Sequence, residues 1–403
     1  MVGFLLALGL SSFGVAAEAP RPALGNLKLF EKAGVKVIRA ERNMNLGFAL
    51  LSEDAEKKIQ ALSHAGGKCG GYELLPEEPS PTAAINLGES ALKKLAERAE
   101  RDQAARRFSP RENLLVKRPR LVSGLAELKE ENLRESVRWL SAYPSRYSKQ
   151  NEPNAHVGAL ATRLRAMLSA YGHPFSIEEL AHRSTKQRSL RVHLEGAKRP
   201  QEIVVLGGHL DSLTSSWMDK TSPGADDNAS GSANLIEALR VLSGMGQPER
   251  SVEFFWYAGE ETGLLGSSEI AKEYKQKGRD VVGVLQLDMT LYPGAGEFVI
   301  GNVSDFTSPW LQQYLLNIND TYIHAKVIPD ECGYACSDHA SWYRQGYPTL
   351  MPFEADTERM NPHVHSAEDA INEDSNFAHS LNFAKIALVF AADLGNSEAR
   401  APK

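Results

Sequence analysis

The sequence has little that points to a membrane, a nucleic acid or a cross-linked scaffold. Its 403 residues include three cysteines, which is few for a disulfide framework. No basic block stands out, and 45 Lys and Arg residues are balanced by 51 Asp and Glu residues, so nucleic-acid binding is not indicated. Beyond the N-terminus, no apolar run approaches the roughly 20 residues of a membrane span. Without repeats, the chain is long enough for one large α/β domain with accessory segments.

The N-terminus differs in composition from the rest. Residues 3–17 form an apolar run that ends in Val15, Ala16 and Ala17, just before Glu18. This pattern is typical of a signal peptide over residues 1–17, although no Lys or Arg precedes the run. A short buried helix is the alternative. We expect a secreted protein, either extracellular or periplasmic.

Residues 18–112 are predicted to be a propeptide and linker. Strands are expected over 35–40 and 46–52, a helix over 53–65, and a charged helix over 83–107 after a Pro-rich break at 76–82. The following stretch, SPRENLLVKRPR at 109–120, is basic and without a clear period. An exposed basic linker after a secretion signal suggests cleavage by a processing protease. The alternative is a permanent N-terminal domain.

Residues 113–403 are predicted to be the catalytic domain. Nearly all-apolar segments at 203–208, 252–258 and 281–287 alternate with helical patterns, and a further strand is expected at 347–353 and a last helix at about 375–394. Such strands are buried on both faces. The fold class predicted is α/β, a mostly parallel mixed sheet sandwiched by helices.

Metal-binding residue types follow these strands. His209, Glu260 and Asp288 stand at or just beyond strand ends, where the ligands of such sheets lie. The pair Asp226 and Asp227 lies in an Asp-rich turn between the strands, and His365 follows downstream. Imidazole and carboxylate groups suit zinc, and one carboxylate can bridge two ions. The sequence therefore predicts a two-metal hydrolase site.

Neighbouring residues have predicted supporting roles. Glu260 and Glu261 are adjacent, and side chains on an extended segment point to opposite sides, so one can face a metal while the other reaches a water. Asp211 lies two residues after His209 and suits a role in orienting its imidazole, with a solvated strand-end acid as the alternative. Cys332 and Cys336 are close enough for a short-loop disulfide, and two free buried thiols are the alternative.

Six motifs together carry a family resemblance. HLDS at 209–212, GADDNASG at 224–231, AGEETGLLGS at 258–267, LQLDMT at 285–290, CGYACSDHASW at 332–342 and HVHSAED at 363–369 resemble the secreted bacterial leucyl aminopeptidases, which are di-zinc metallopeptidases of the zinc exopeptidase-like fold. The match runs from about 125 to the end of the chain. The GKCGGY segment at 67–72 resembles the family's cleavable propeptides more weakly.

The resemblance implies a role for each site residue. His209 and Asp288 would bind one Zn²⁺, Glu261 and His365 the other, and Asp227, which precedes Asn-x-Ser-Gly, would bridge them. Glu260 would act as the general base towards a water between the two ions. Tyr334 would stabilise the oxyanion, and the peptide bond after Asp227 would be cis.

The expected substrate is a peptide with a free N-terminus. Glu261 and Asp288 would pair with its ammonium group, as the resemblance implies. Uncharged residues in or near the motifs predict a pocket for Leu or another large apolar residue: Met289, Cys332, Tyr334, Cys336, Met351, Phe353 and Val364. For Met351 and Phe353, core packing is the alternative. We expect a monomer.

Three alternatives stay open from the sequence. A carboxypeptidase or deacylase of the related two-zinc class would use a similar site, although the stretch from Asp288 to His365 lacks the pattern of an inserted domain. A glutaminyl-cyclase-like enzyme shares the fold and binds one zinc. A non-catalytic binding protein on this scaffold typically loses ligands or the base, and here none is missing.

Overall fold

The computed structural model describes residues 19–64, 71–75, 78–108, 115–216 and 218–400. The predicted signal peptide and Cys69 lie outside these ranges. So do residues 109–114, the first half of the predicted cleavage region at 109–120. All statements below concern the described residues.

The N-terminal unit is a small α/β fold. Its elements are β1 (Arg21–Asn26), α1 (Leu27–Ala33), β2 (Val37–Glu41), β3 (Leu46–Leu51), α2 (Glu53–His64), β4 (Tyr72–Leu74) and α3 (Pro81–Phe108). The strands form a sheet of order β2-β3-β1-β4, in which β1 pairs antiparallel with both β3 and β4. Strand β1 and helix α1 were not predicted. Asn26 is the last residue of β1 and the N-cap of α1. Its side chain accepts a hydrogen bond from Leu29 N and so caps the helix.

The remaining chain builds the large domain. Its helices are α4 (Pro119–Ala126), α5 (Glu130–Ser141), α6 (Ala155–Leu168), α7 (Gly231–Gly244), α8 (Leu265–Gln276), α9 (Pro309–Ile318), α10 (His339–Arg344) and α11 (Phe377–Gly395). Its strands are β5 (Phe175–Leu180), β6 (Ser189–Leu194), β7 (Arg199–His209), β8 (Arg250–Tyr257), β9 (Asp280–Gln286), β10 (Val299–Val303), β11 (Lys326–Asp330), β12 (Thr349–Leu350) and β13 (Pro352–Phe353).

The main sheet has six strands in the order β12-β9-β7-β8-β6-β5. The first four are parallel, and β6 and β5 join antiparallel. Alternate residues of β7 enter different cores: Val204 and Leu206 pack with α7 and α11, whereas Ile203 and Val205 pack with α8 and α10. Helices therefore cover both faces, as the apolar strands require, and the predicted fold class is confirmed.

The predicted strand over 347–353 is two strands. Residues 349–350 form β12 at the edge of the main sheet, and residues 352–353 form β13 in a separate sheet of order β11-β10-β13. A single continuous strand was wrong because the chain leaves one sheet for the other at Met351. This switch brings Phe353 and the residues after it towards the carboxyl end of the main sheet.

Helix α11 is long and apolar, and it is the last helix that the sequence predicted. By length and composition it would be able to cross a membrane, but 83 % of its most apolar window is buried inside the protein. It packs against α7 and the main sheet. Its apolar character is therefore that of a core helix.

Candidate metal centre

Three adjacent parallel strands bring the predicted site together. His209 is the last residue of β7, which pairs with β8 on one side and β9 on the other. Glu260 follows the end of β8 by three residues, and Asp288 follows the end of β9 by two. The carboxyl ends of these strands meet at one edge of the sheet, as predicted.

The two oxygens of Asp227 face two different histidines. Oδ1 lies 3.0 Å from Nε2 of His209, which is also 3.2 Å from Oδ1 of Asp288. Oδ2 lies 3.0 Å from Nε2 of His365, which is 2.9 Å from Oε2 of Glu261. The five predicted ligands thus form two sets that share Asp227, in the pairing that the resemblance implied. All five side chains are buried.

The glutamate pair is arranged differently from the expectation. Glu260 and Glu261 lie in a turn, closed by hydrogen bonds from Gly263 N and Leu264 N to Glu260 O, and not on an extended segment. The prediction of an extended segment was wrong because β8 ends at Tyr257. The two carboxylates are nevertheless used differently: Glu261 reaches His365, whereas Oε2 of Glu260 has no hydrogen-bond partner within the described ranges.

Asp211 connects this turn to His209. Its Oδ1 accepts a hydrogen bond from Glu260 N at 3.0 Å, and its Oδ2 accepts one from Glu261 N at 3.3 Å. His209 Nδ1 lies 3.2 Å from the backbone oxygen of Asp211 and 3.5 Å from Oδ1. A donor at Nδ1 leaves Nε2 free as a ligand, so this contact fixes the tautomer that a metal needs.

The turn that carries Asp227 is held from two sides. The Asp227–Asn228 peptide bond is cis, as expected. Asp369 accepts hydrogen bonds from Asp226 N at 2.9 Å and Asp227 N at 3.0 Å. Asn228 donates to Leu287 O at 2.9 Å, just before Asp288.

The charges of the site favour bound cations. Although burial acts against it, protonated His209 and His365 hold the pKa of Asp227 well below its usual range. Burial, together with the charge of Asp227 beside it, raises the pKa of Glu261 to about 7. Burial would lower the pKa of His365, but Glu261 and Asp227 raise it to about 10. The carboxylates therefore favour protonated imidazoles. The protons lie where metal cations would bind.

The donor set fits zinc. One ligand atom each from His209, Asp227 and Glu261 lie within 4.8 Å of one another. Both oxygens of Asp227 and of Glu261 lack a well-aligned hydrogen-bond donor among the described residues, although all are buried. Buried oxygens of this kind are costly unless a cation or donor satisfies them. Nitrogen and carboxylate ligands at a closed site are those that zinc prefers.

Several residues that support the site were missed from the sequence. Arg146 is fully buried and donates to the backbone oxygens of Leu210, Pro223 and Gly224, which flank the ligand-bearing loops. Burial lowers its pKa to about 10. No periodic signal marks this arginine. Asp369 lies inside the HVHSAED motif, four residues after His365, and that spacing was the available signal.

The predicted pocket residues form one apolar cluster. Its buried members are Met289, Val303, Cys332, Tyr334, Cys336, Met351, Phe353 and Val364, with Met360 packed against them. Cys332 and Cys336 are disulfide-bonded, so the alternative of two free thiols is wrong. Met289 directly follows Asp288, and Val364 directly precedes His365, so the cluster adjoins both ligand sets.

The fold and the paired ligand sets define a class of zinc-type metallohydrolase. The family model for peptidase family M28 matches residues 190–391, and this chain belongs to that family. Leucine aminopeptidase 1 of Arthroderma otae is 36 % identical over 285 residues, which cover 67 % of this chain and 75 % of the relative. A protein described as "Probable leucine aminopeptidase" from Trichophyton verrucosum is 35 % identical over 279 residues, with 68 % and 75 % covered.

A solved structure matches at greater length. The LapA aminopeptidase of Legionella pneumophila superposes with a TM-score of 0.79 and 25 % identity, over 95 % of this chain and all of that chain. Together these comparisons show that the protein is a metallo-aminopeptidase hydrolase. They include fungal relatives, so the bacterial source that the resemblance suggested stays a prediction.

Proposed function

We propose that this protein is a secreted di-zinc aminopeptidase that removes an N-terminal Leu or another large apolar residue from peptides. The observation that carries the proposal is that the two carboxylate oxygens of Asp227 face different histidines. One oxygen lies 3.0 Å from Nε2 of His209, and the other lies 3.0 Å from Nε2 of His365. A carboxylate in this position can bridge two ions. The names of the leucine aminopeptidase relatives support the choice of substrate.

The residues around the ligands have distinct roles in this proposal. His209, Asp227, Glu261, Asp288 and His365 would hold the zinc ions, whose positive charge would acidify the attacking water and polarise the scissile carbonyl. Glu260 takes the proton of that water and returns it to the leaving amine. Asp211 fixes the position of the turn that carries Glu260 relative to the ring of His209. Tyr334 donates a hydrogen bond from its phenol O–H to the oxyanion.

Substrate recognition follows from the surroundings of the ligands. Glu261 and Asp288 are carboxylates at the two ends of the site, and they pair with the free ammonium group of the peptide. The apolar cluster of Met289, Tyr334, Met351, Phe353 and Val364 receives the first side chain. Because its members are uncharged, a charged first residue would lose its hydration without compensation.

The N-terminal unit, in our proposal, is a propeptide that keeps the enzyme inactive until a protease cuts the linker. Its contacts near the site support this. Asn26 and Asn45 donate to Gly333 O, beside Tyr334, at 3.2 and 3.5 Å. Leu74 N donates to Gly263 O, two residues after Glu261, at 3.4 Å. The signal peptide predicted at residues 1–17 would export the precursor.

A leucyl-anilide assay tests both parts of the proposal. We expect hydrolysis that a zinc chelator abolishes and added zinc restores, with little cleavage of an N-acetyl-leucyl substrate. A chain beginning near residue 113 should be at least tenfold more active than the chain from residue 18. Equal activity of the two chains would refute an inhibitory N-terminal unit.

The alternatives predict other results. A carboxypeptidase or deacylase would cleave the N-acetylated substrate efficiently, whereas an aminopeptidase needs the free ammonium group. A glutaminyl-cyclase-like enzyme would hold one zinc after full loading, whereas the two ligand sets predict two. Zinc analysis beside the activity assay therefore separates all three.

A further inference from the structure

Glu354 is a fully buried carboxylate that none of the proposed catalytic steps uses. It directly follows Phe353 at the end of β13. Its Oε2 accepts a hydrogen bond from Tyr292 N at 2.7 Å, and its Oε1 accepts one from Asn361 N at 3.0 Å. A buried carboxylate is costly, so a residue in this position must be well compensated by its surroundings.

A second buried carboxyl group, that of Asp226, lies beside the side chain of Glu354. The side chain of Asn361 donates to Oδ2 of Asp226 at 3.0 Å, and the backbone N–H of Asn361 donates to Glu354. Glu354, Asp226 and Asn361 thus form a buried triangle whose hydrogen bonds run through Asn361.

This triangle joins the chain segments that carry three of the candidate zinc ligands. Asp226 directly precedes Asp227, and its Oδ1 accepts from Thr290 N at 3.1 Å and Leu291 N at 2.9 Å, just past Asp288. Asn361 lies four residues before His365. Through Glu354 and Asp226, the segments of the bridging ligand and of one ligand from each set are fixed relative to one another.

The backbone in these segments needs such support. Met289, beside Asp288, has φ of 51°, and His365 itself has φ of 57°. Residues other than glycine rarely adopt this left-handed conformation, which is strained unless the surroundings hold it. The hydrogen bonds of the triangle lie within a few residues of both positions.

We propose that Glu354 is a positioning residue of the metal centre, which sets the spacing of Asp227, Asp288 and His365 without touching metal or substrate. The inference rests on the proposed di-zinc site. Its expected effect is on metal affinity and turnover, since loss of an outer partner of a metal ligand typically costs about 10- to 100-fold in either.

The experiment compares Glu354→Gln with Glu237→Gln in the full chain. Glutamine is similar in size, but its amide nitrogen cannot accept the second backbone N–H, so Tyr292 N or Asn361 N loses its partner. Glu237 is also buried and accepts from Lys129 N at 2.8 Å and from Asn132 Nδ2 at 2.9 Å, with Arg240 beside it. It contacts none of the ligand segments in the described structure.

The primary readout is zinc affinity, measured by competition with a chelator and by metal analysis. We expect Glu354→Gln to weaken zinc binding by about 10- to 100-fold, and Glu237→Gln to leave it within about twofold of the parent. At saturating zinc, Glu354→Gln should lower kcat for leucyl-anilide with little change in KM. Unfolding temperatures of both variants control for general destabilisation.

The inference is overturned if Glu354→Gln binds two zinc ions with the parent's affinity and keeps its kcat, even if it unfolds earlier. Should Glu354→Gln not fold, Glu354→Asp keeps the carboxylate but withdraws it from Tyr292 N and Asn361 N. Zinc affinity at the parent's level in Glu354→Asp would then overturn the inference. If the parent binds two zinc ions but does not cleave leucyl-anilide, the proposed function fails, whereas the affinity comparison still decides the role of Glu354.

Discussion

The carboxylate of Asp211 accepts a hydrogen bond from the backbone N–H of Glu260 at 3.0 Å. The same side chain lies 3.5 Å from Nδ1 of His209. It therefore connects the proposed general base with a proposed zinc ligand. Asp211→Asn keeps the size of the side chain but replaces one acceptor oxygen with a donor, so one of these contacts becomes unfavourable.

We expect Asp211→Asn to lower kcat for leucyl-anilide by about 10- to 100-fold and to weaken zinc binding in parallel. Steady-state kinetics and chelator competition measure the two effects. The control is Asp356→Asn, which removes a partly exposed charge paired with the half-exposed Arg359 and should change neither quantity. Full activity of Asp211→Asn at limiting zinc would show that Asp211 has no orienting role.

The adjacent residues Glu260 and Glu261 should fail in different ways when changed to glutamine. Glu260→Gln should keep both zinc ions but lose turnover by about 100-fold or more, because the residue only moves a proton. Glu261→Gln should lose zinc from the set that contains His365, whose Nε2 lies 2.9 Å from Glu261 Oε2. Metal content and kcat, measured on the same samples, separate the two roles. Equal zinc loss in both variants would contradict this division.

The positions of the proposed ligands were predictable because they depend on local sequence signals. An apolar strand must end where polar residues begin, and parallel strands end at one edge of the sheet. His209 and Asp288 could be placed by this reasoning alone. The pairing of ligands around Asp227 and the cis peptide bond after it came instead from the family resemblance.

The supporting network was not predictable because its contacts join distant parts of the chain. Glu354 binds the backbone at Tyr292, which is 62 residues away, and nothing near Glu354 in the sequence marks that contact. Arg146 lies in YPSRY, a segment with no period, and its partners are backbone oxygens, which every residue possesses. The split of residues 347–353 between two sheets likewise depends on β10, which the sequence did not reveal.

The apolar cluster predicts how substrate preference should respond to mutation. Met351 is buried among Phe353, Tyr334 and Val364. Met351→Ala enlarges the proposed pocket, so the preference for phenylalanyl over leucyl substrates should rise by about tenfold, which is within the range for a changed methylene contact. The measurement is the ratio of kcat/KM for the two anilides. Met245→Ala, in the main core beside Gly124, should lower stability without changing the ratio.

A buried histidine outside the proposed ligand sets predicts how stability depends on pH. His156 is fully buried, and its Nε2 accepts from Gln187 Nε2 at 3.1 Å. Burial, together with the charge of nearby Arg146, lowers its pKa to about 3. In the unfolded chain a histidine has a pKa of about 6.5. Below that pH the unfolded chain binds a proton that the folded protein does not, so stability present above pH 6.5 is lost as the pH falls towards 3.

The expected contribution of His156 is about 1.4 kcal/mol per pH unit well below pH 6.5, or about 2 kcal/mol at pH 5. Urea unfolding at several pH values between 5 and 7.5 measures it as a slope. His156→Gln and His156→Phe should both flatten that slope by about one proton, even if their stabilities at pH 7.5 differ, because neither side chain titrates. His339 and His379, whose pKa values burial lowers to about 4, should retain the rest of the slope. An unchanged slope in both variants would mean that His156 is protonated in the folded protein, which its buried hydrogen bond with Gln187 does not allow without a rearrangement.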